Sequence, residues 1–449
     1  MTEFAVPTPL EWREAAIKAL KERPLESLIH LDADHLATKP LYGAANGGEP
    51  VFAPRPSDSE GRAWDMRALN EGEDADALNR AVLTDLENGA ASVLIAGPVA
   101  ADAAKLARAL DGVALELAPV ALDAGFEGVK AAEALSAVAK GSPRAKLAFH
   151  LDPISAYAEA GGAPGDFAAL MTETAKAAAT HAATYPEATL FMASGRAAHE
   201  AGGSIAQELA FAASSAVAYV KAAVEAGMSA ETALKGVVLG VAVDQTYFDS
   251  LAKIRALRLI WASVSKAFGA EAPAVIEARS SRRMLSARDP WPNMLRLTAA
   301  GFAGAVGGAD AVVLDGFTKR QARNTQLILM EESNLGRVDD PASGSWYLDA
   351  RTRELAEAAW AEFQVYEAEG GVIACLQGGV IQPRIARARD MAEKAFKDGA
   401  AQIVGVTKFV DPDVRPAPVT SAPAAPAAVG TFEALAPVRF AAAFEEAAQ

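Results

Sequence analysis

The chain holds five histidines, His30, His35, His150, His181 and His199, and one cysteine, Cys375. Zinc sites need Cys and His at short, fixed spacings, and no cluster here has that spacing. No phosphate-cradling G-x-x-x-x-G-K-[ST] loop occurs. Serine, histidine and aspartate are all present, but nothing along the chain groups them as nucleophile, base and orienting acid. Arg279, Arg282, Arg283 and Arg288 make the densest positive run. At the end of a strand such a run suits a phosphate or coenzyme A group. The competing reading, equally weighted, is a solvated loop that pairs with an acidic surface. Lys253, Arg255 and Arg258 share a helical stretch ending at Trp261. Their preferred reading is pairing with carboxylates at a buried helix interface.

These residues are positioned by a repeating pattern. From residue 75 onward, helix-like segments alternate with short apolar runs at 91–96, 113–117, 146–151, 189–193, 237–243, 274–278 and 311–314. Strands that are apolar on both faces and separated by helices imply a parallel sheet. Seven such runs and a weaker candidate at 345–348 fit a closed (β/α)8 barrel better than an open sheet. No G-x-G-x-x-G follows a strand, which disfavours the doubly wound alternative. Thr318 and Gln321 have capping-box spacing, so a helix should start near Lys319, and Gly336 stands where its left-handed C-terminal residue belongs. Asp340-Pro341 then opens a turn. Bulky strand residues such as Leu94, Leu115, Phe149, Phe191 and Ile276 predict a filled barrel axis.

Three segments follow, with boundaries at 1–60, 61–408 and 409–449. The first is an arm: an amphipathic helix over 9–24 with Leu10, Ile17 and Leu20 on one face, an extended stretch to Tyr42, then a Gly/Pro/Ser-rich loop to Ser59. The arm is expected to dock on a partner chain. The third is a Pro/Ala-rich tail with Pro412, Pro416, Pro418, Pro423 and Pro426, a semi-extended linker composition. The apolar residues Phe432, Leu435, Phe440 and Phe444 suggest that its end docks on the barrel or on a partner. The net charge of −15 argues against generic nucleic-acid binding. A lone cysteine, no signal pattern and no membrane-length apolar run predict a soluble cytoplasmic protein without nucleic-acid or membrane partners.

Several stretches together resemble the methylmalonyl-CoA mutase family. They are His199-Glu200-Ala201-Gly202 with Gln207-Glu208-Leu209-Ala210-Phe211, the run Ala252 to Trp261, Asp289-Pro290-Trp291-Pro292-Asn293-Met294-Leu295-Arg296, Gly307-Gly308-Ala309-Asp310, and Arg323-Asn324-Thr325-Gln326 with Asp340-Pro341-Ala342-Ser343-Gly344-Ser345-Trp346-Tyr347. The resemblance runs from about Trp12 to Lys408. It implies a coenzyme A–cobalamin mutase barrel that converts methylmalonyl-CoA to succinyl-CoA by adenosylcobalamin radical chemistry.

The residues that perform that reaction in catalytic members are changed. Trp64-Asp65-Met66-Arg67-Ala68-Leu69 matches a W-T-I-R-Q-Y motif, with Leu69 at the Tyr position. Ser194 to His199 matches S-G-Y-H-M-Q, so Arg196 and Ala197 stand for the Tyr and His. Ser280-Ser281-Arg282-Arg283 stands for a T-S-G loop, and the carboxylate-binding Arg has no counterpart. No histidine has an Asp two residues before it, so the cobalt-ligating Asp-x-His-x-x-Gly loop is missing, and no C-terminal cobalamin-binding domain is expected. The resemblance therefore implies a non-catalytic small subunit without catalytic, cofactor or metal residues of its own. It would pair with a catalytic large subunit that holds adenosylcobalamin. The alternatives are a catalytic core served by a separate cobalamin-binding chain, and a coenzyme A-binding regulatory module.

Overall fold

A computed structural model describes residues 7–56, 63–142, 144–415, 417 and 429–446. Eight parallel strands close into a barrel in chain order. They are β1 (Asp65–Glu71), β2 (Ser92–Ala96), β3 (Val120–Asp123), β4 (Leu147–Leu151), β5 (Thr189–Ser194), β6 (Val237–Val243), β7 (Val275–Ser280) and β8 (Ala311–Val313). Helices between them form the outer layer, so the expected (β/α)8 barrel is the observed one.

Two strand expectations need correction. The run 113–117 lies in turns, and Leu117 is 81% exposed. The strand forms instead just after Pro119, which has no N–H to give a ladder. The candidate at 345–348 opens a helix, Trp346–Ala368, whose N-cap Ser345 accepts the amide of Leu348 at 3.4 Å. The hydroxyl side chain supplies a helix start there, not a strand. The eighth strand is β1, whose Asp65, Arg67 and Glu71 make it look like a polar loop. Helix Lys319–Leu327 starts as expected on Thr318, and Gly336 is left-handed at φ +84°.

Strand alternation sends one set of side chains to the helices and the other to the axis. Phe149 stacks on His181 of helix Phe167–Thr184, centroids 4.4 Å apart, and Phe191 stacks on Tyr219 of helix Ile205–Glu225 at 5.1 Å. These rings and Ile276 belong to the core between strands and helices. Leu115 is not on a strand. Of the residues expected to fill the axis, only Leu94 does so, in a small cluster with Leu69, Ala121 and Ala148.

The expected buried pairing of Lys253, Arg255 and Arg258 is observed. Arg255 is fully buried on helix Tyr247–Ala267. It grips Asp340 with Nε at 2.9 Å and Nη2 at 3.0 Å, reaches Asp349 at 2.9 Å, and donates to the Val51 carbonyl at 2.6 Å. Asp340 also accepts the amide of Ala53 at 2.8 Å. One guanidinium thus fastens the Asp340-Pro341 turn, the helix after it and the end of the arm to the barrel. Lys253 pairs with Glu208 at 2.7 Å and Arg258 with Asp310 at 2.9 Å.

The arm divides. Helix Pro9–Leu20 has a full capping box at Thr8 and Glu11 yet buries no residue, and Leu10 is 65% exposed. Residues 32–53 lie on their own barrel, contrary to the expectation for the whole arm. Asp32 pairs with Arg351, Asp34 accepts the amide of Ala206 at 3.0 Å, and Tyr42 packs on Tyr347. Acidic side chains that reach a buried Arg and a helix N-terminus outweigh the few leucines in that stretch. The tail's Pro416, Pro418, Pro423 and Pro426 lie outside the described residues. Its end does dock on the barrel: Leu435 donates to the Ala158 carbonyl, Val438 to that of Glu200 and Phe440 to that of Arg283.

Replacing Asp340 with Ala leaves the buried Arg255 short of its main counter-ion. The expected loss is about 3–5 kcal/mol, read as a lower urea midpoint. Glu231→Ala, which removes an exposed partner of Lys235, should cost no more than about 1 kcal/mol.

Candidate functional site

Chemistry in a (β/α)8 barrel sits at the C-terminal ends of the strands, in the loops that follow them. Here the axis is occupied by charge. By register Arg67 is level with Ser92. Its guanidinium donates to Ser92 at 2.9 Å, Asp65 at 2.7 Å and Glu277 at 2.7 Å. Glu277 also accepts Arg279 Nε at 2.6 Å, and Arg279 Nη1 reaches Asp123 at 2.6 Å. Asp123 is on β3 and Arg279 on β7, four strands apart by either route around the eight. That ion pair therefore crosses the barrel. Burial pushes the Glu277 carboxyl up, but Arg279, His150 and Arg67 outweigh it and hold it well below the usual range.

His150 projects from β4 into this charged interior with φ at +46°, a conformation rare for a residue with a Cβ. It is buried, and neither ring nitrogen has a hydrogen-bond partner. Burial pushes its pKa down to about 4.

The three changed positions lie around this interior. Leu69 packs with Leu94, Ala121 and Ala148 and brings no polar atom. Ala197 is 1% exposed on the short helix Arg196–Glu200 after β5. Arg196 starts that helix. Its Nε is buried without a partner, and burial, Arg279 and Arg282 push its pKa down. Nearby, burial raises Glu159 to about 7 and Asp152 to about 6.

The arginine run matches neither sequence-based reading. Arg279 is inside the barrel. Arg283 donates to the His199 and Gly203 carbonyls at 3.1 and 3.0 Å and lies 3.6 Å from Asp244. Arg282 has Asp315 at 3.9 Å, and Arg288 is exposed. The four side chains do not converge on one anion site, because internal carboxylates and carbonyls hold Arg279 and Arg283.

The fold also assembles a group that spacing did not reveal. His199 Nε2 is 2.8 Å from Ser281 Oγ, and Nδ1 is 3.0 Å from Glu208 Oε2. This is the connectivity of a nucleophile, base and acid. Gly195 permits it, since a Cβ there would lie 2.1 Å from the Glu208 carbonyl oxygen. Yet Ser281, His199 and Glu208 are each 0% exposed. The Arg282 and Arg283 amides, which could stabilise an oxyanion, are bound to the Glu200 carboxylate at 3.1–3.2 Å. Burial pushes Glu208 up, but Lys253 and His199 outweigh it and hold it at about 2. The arrangement is a closed brace between the loops after β5 and β7. The only signal for it in the sequence was the presence of His199 and Glu208 in motifs of the resemblance.

A half-open cleft of about 500 Å³ lies on the rim between the loops after β5 to β7 and the last long helix, Ile381–Lys397. It is lined by Ala392, Ala395, Phe396, Ile403 and Phe440 together with six charged residues, Asp32, Asp34, Asp244, Asp249, Arg283 and Arg296, each engaged within the protein. Among the described residues no cluster of three His, Cys, Asp or Glu could hold a metal ion, and no helix is long and apolar enough to cross a membrane.

Comparison with known proteins gives a consistent set. The family model for methylmalonyl-CoA mutase matches residues 95–444. The methylmalonyl-CoA mutase small subunit of Streptomyces virginiae is 39% identical over 429 residues, covering 89% of this chain and 69% of that protein. The small subunit of Propionibacterium freudenreichii subsp. shermanii is 34% identical over 390 residues, covering 82% and 60%. A Cereibacter sphaeroides protein named methylmalonyl-CoA mutase is 34% identical over 224 residues, covering 47% and 32%.

Because His150 stays neutral in the fold, its contribution to stability is complete above its unfolded pKa near 6.5. As pH falls from there to about 4, the unfolded chain takes up a proton that the folded chain does not. The loss is up to about 1.4 kcal/mol per pH unit. His150→Asn, which tolerates the same backbone, should flatten urea midpoints between pH 6.5 and 4 relative to the unmodified chain.

Proposed function

The chain belongs to the methylmalonyl-CoA mutase family, and from that membership we propose that it is a small subunit without mutase chemistry of its own. It supports a catalytic large subunit that converts methylmalonyl-CoA to succinyl-CoA with adenosylcobalamin. The observation that carries this reading is the Arg279–Asp123 bridge across the barrel. A thioester substrate threaded along the axis would have to break it and leave the buried Arg279 guanidinium without its partner across the axis, Asp123, which is itself 46% exposed. At the changed positions themselves, Leu69 and Ala197 cannot donate or move a proton, and Arg196 cannot serve as a general base.

The residues of this chain do not fit the cobalamin. Its lower cobalt ligand would be an imidazole nitrogen presented to a large group. Both nitrogens of His199 are engaged in the buried brace, His150 is enclosed within the barrel, and His181 is stacked under Phe149. His30 and His35 lie on the arm. No step is therefore assigned to the cofactor in this chain. Its residues hold a rigid barrel and leave the chemistry to the partner.

The purified chain should show no turnover of methylmalonyl-CoA when supplied with adenosylcobalamin. The complex with a large subunit should be active, and Arg196→Ala in this chain should leave its kcat within about twofold. Turnover by this chain alone, or loss of kcat in that variant at full occupancy, would overturn the reading.

A further inference from the structure

Residues 429–445 cross the loops at the C-terminal ends of three strands. The crossing begins after β4. There the Val429 amide donates to the Ala160 carbonyl at 2.8 Å, those of Thr431 and Phe432 to Gly161 at 2.8 and 3.0 Å, and that of Leu435 to Ala158 at 2.8 Å. After β5, Val438 donates to the Glu200 carbonyl at 2.7 Å, and after β7, Phe440 donates to that of Arg283 at 3.2 Å. The crossing ends where Glu445 Oε1 accepts the amides of Ala287 and Arg288 at 2.7 and 3.0 Å and the Ser286 hydroxyl at 3.2 Å. The seat is shaped for this path. A Cβ at Gly161 would lie 2.5 Å from the Phe432 carbonyl oxygen, and one at Gly162 would lie 2.5 Å from Thr431 Oγ1. Phe432 meets Tyr157 edge-on, centroids 4.8 Å apart, and the Arg283 guanidinium lies 5.7 Å over the Phe440 ring.

Each anchor lies beside a charged group of the mouth. Ala158 and Ala160 flank Glu159 on helix Pro153–Ala160. Glu200 ends the short helix that Arg196 opens, and its carboxylate holds the amides of Arg282 and Arg283. Glu200 is thus fixed to the tail by its carbonyl and to the loop after β7 by its side chain. The tail joins three loops that are distant in sequence, at the face where barrels bind and act. Yet it is a thin element. Of residues 429–445 only Leu435, Ala441 and Glu445 are buried, whereas β2, β4 and β6 are buried along their whole length. Segments with little buried apolar surface and exposed backbone hydrogen bonds open at a lower free energy than the core they rest on. We infer that residues 429–445 form a strap that clamps the loops after β4, β5 and β7 over the mouth. It lifts as a unit while the barrel stays folded, and so frees the loops that carry Glu159, Arg196 and Arg282.

Hydrogen exchange of the full chain, read by mass spectrometry across a urea series below the unfolding midpoint, tests this. In the unmodified chain the tail and the three loops should lose protection together, at urea concentrations that leave the strands protected. Leu435→Asp puts a charge into the buried seat of the tail. It should raise exchange by about tenfold or more in residues 429–445, 196–203 and 281–284, with strand peptides changed by less than about twofold. The Arg282 and Arg283 amides are the decisive readout, because Glu200 holds them and the tail does not. Glu433→Ala, an exposed change in the same segment, should leave every peptide unchanged. A loosened tail over loops that keep their protection makes the tail a passenger and overturns the clamp. Strands that lose protection in step with the tail make it part of the cooperative core and overturn the strap. A tail as protected as the strands at every urea concentration overturns it as well.

Discussion

A guanidinium on β7 and a carboxylate on β3, 2.6 Å apart across the barrel, set the terms for everything else in this structure. Opposite strands cannot exchange a direct ion pair around an open channel. Arg279 also holds Glu277, which holds Arg67, which holds Asp65. The five charges along these four links alternate in sign, so the buried Arg279, Glu277 and Arg67 each lie between opposite charges, with the more exposed Asp123 and Asp65 at the two ends. A chain of this kind spans the axis and favours one geometry of β1, β3 and β7.

The same logic recurs at the rim and outside the barrel. Glu208 gathers Lys253, His199 and the amide of Ala242, and through His199 it fixes Ser281. Arg255 gathers Asp340, Asp349 and the Val51 carbonyl. Each knot places a fully buried ion where several segments meet, so removing either partner exposes the other to a low-dielectric interior. Residue types that elsewhere carry out acid–base or nucleophilic chemistry here serve rigidity. Their burial decides between the two uses: Ser281 has the partners of a nucleophile and no route for a substrate.

Much of this was legible in the sequence. The alternation of helices with doubly buried strands gave the barrel, because apolar runs such as Val237–Val243 have no other stable setting. Pairing of Lys253, Arg255 and Arg258 followed from cations placed on a helix rich in large apolar residues. β1 was missed because a strand lining a charged axis carries Asp65, Arg67 and Glu71 and lacks the apolar alternation by which strands are recognised. The axis was expected to be apolar because strand residues were known to be bulky, while the face each presents depends on register. The brace of Ser281, His199 and Glu208 was not visible, since 82 residues separate the first two and only the packed loops bring them together.

The central claim is that this barrel admits no acyl-CoA along its axis. Equilibrium dialysis of the purified chain alone against radiolabelled methylmalonyl-CoA, at concentrations spanning those that saturate an active mutase complex, tests it most directly. The predicted result is no saturable binding. Stoichiometric, saturable binding that disappears in a variant with a bulkier residue at Ala121 would contradict it, because a ligand would then be occupying the space that the Arg279–Asp123 bridge is held to close.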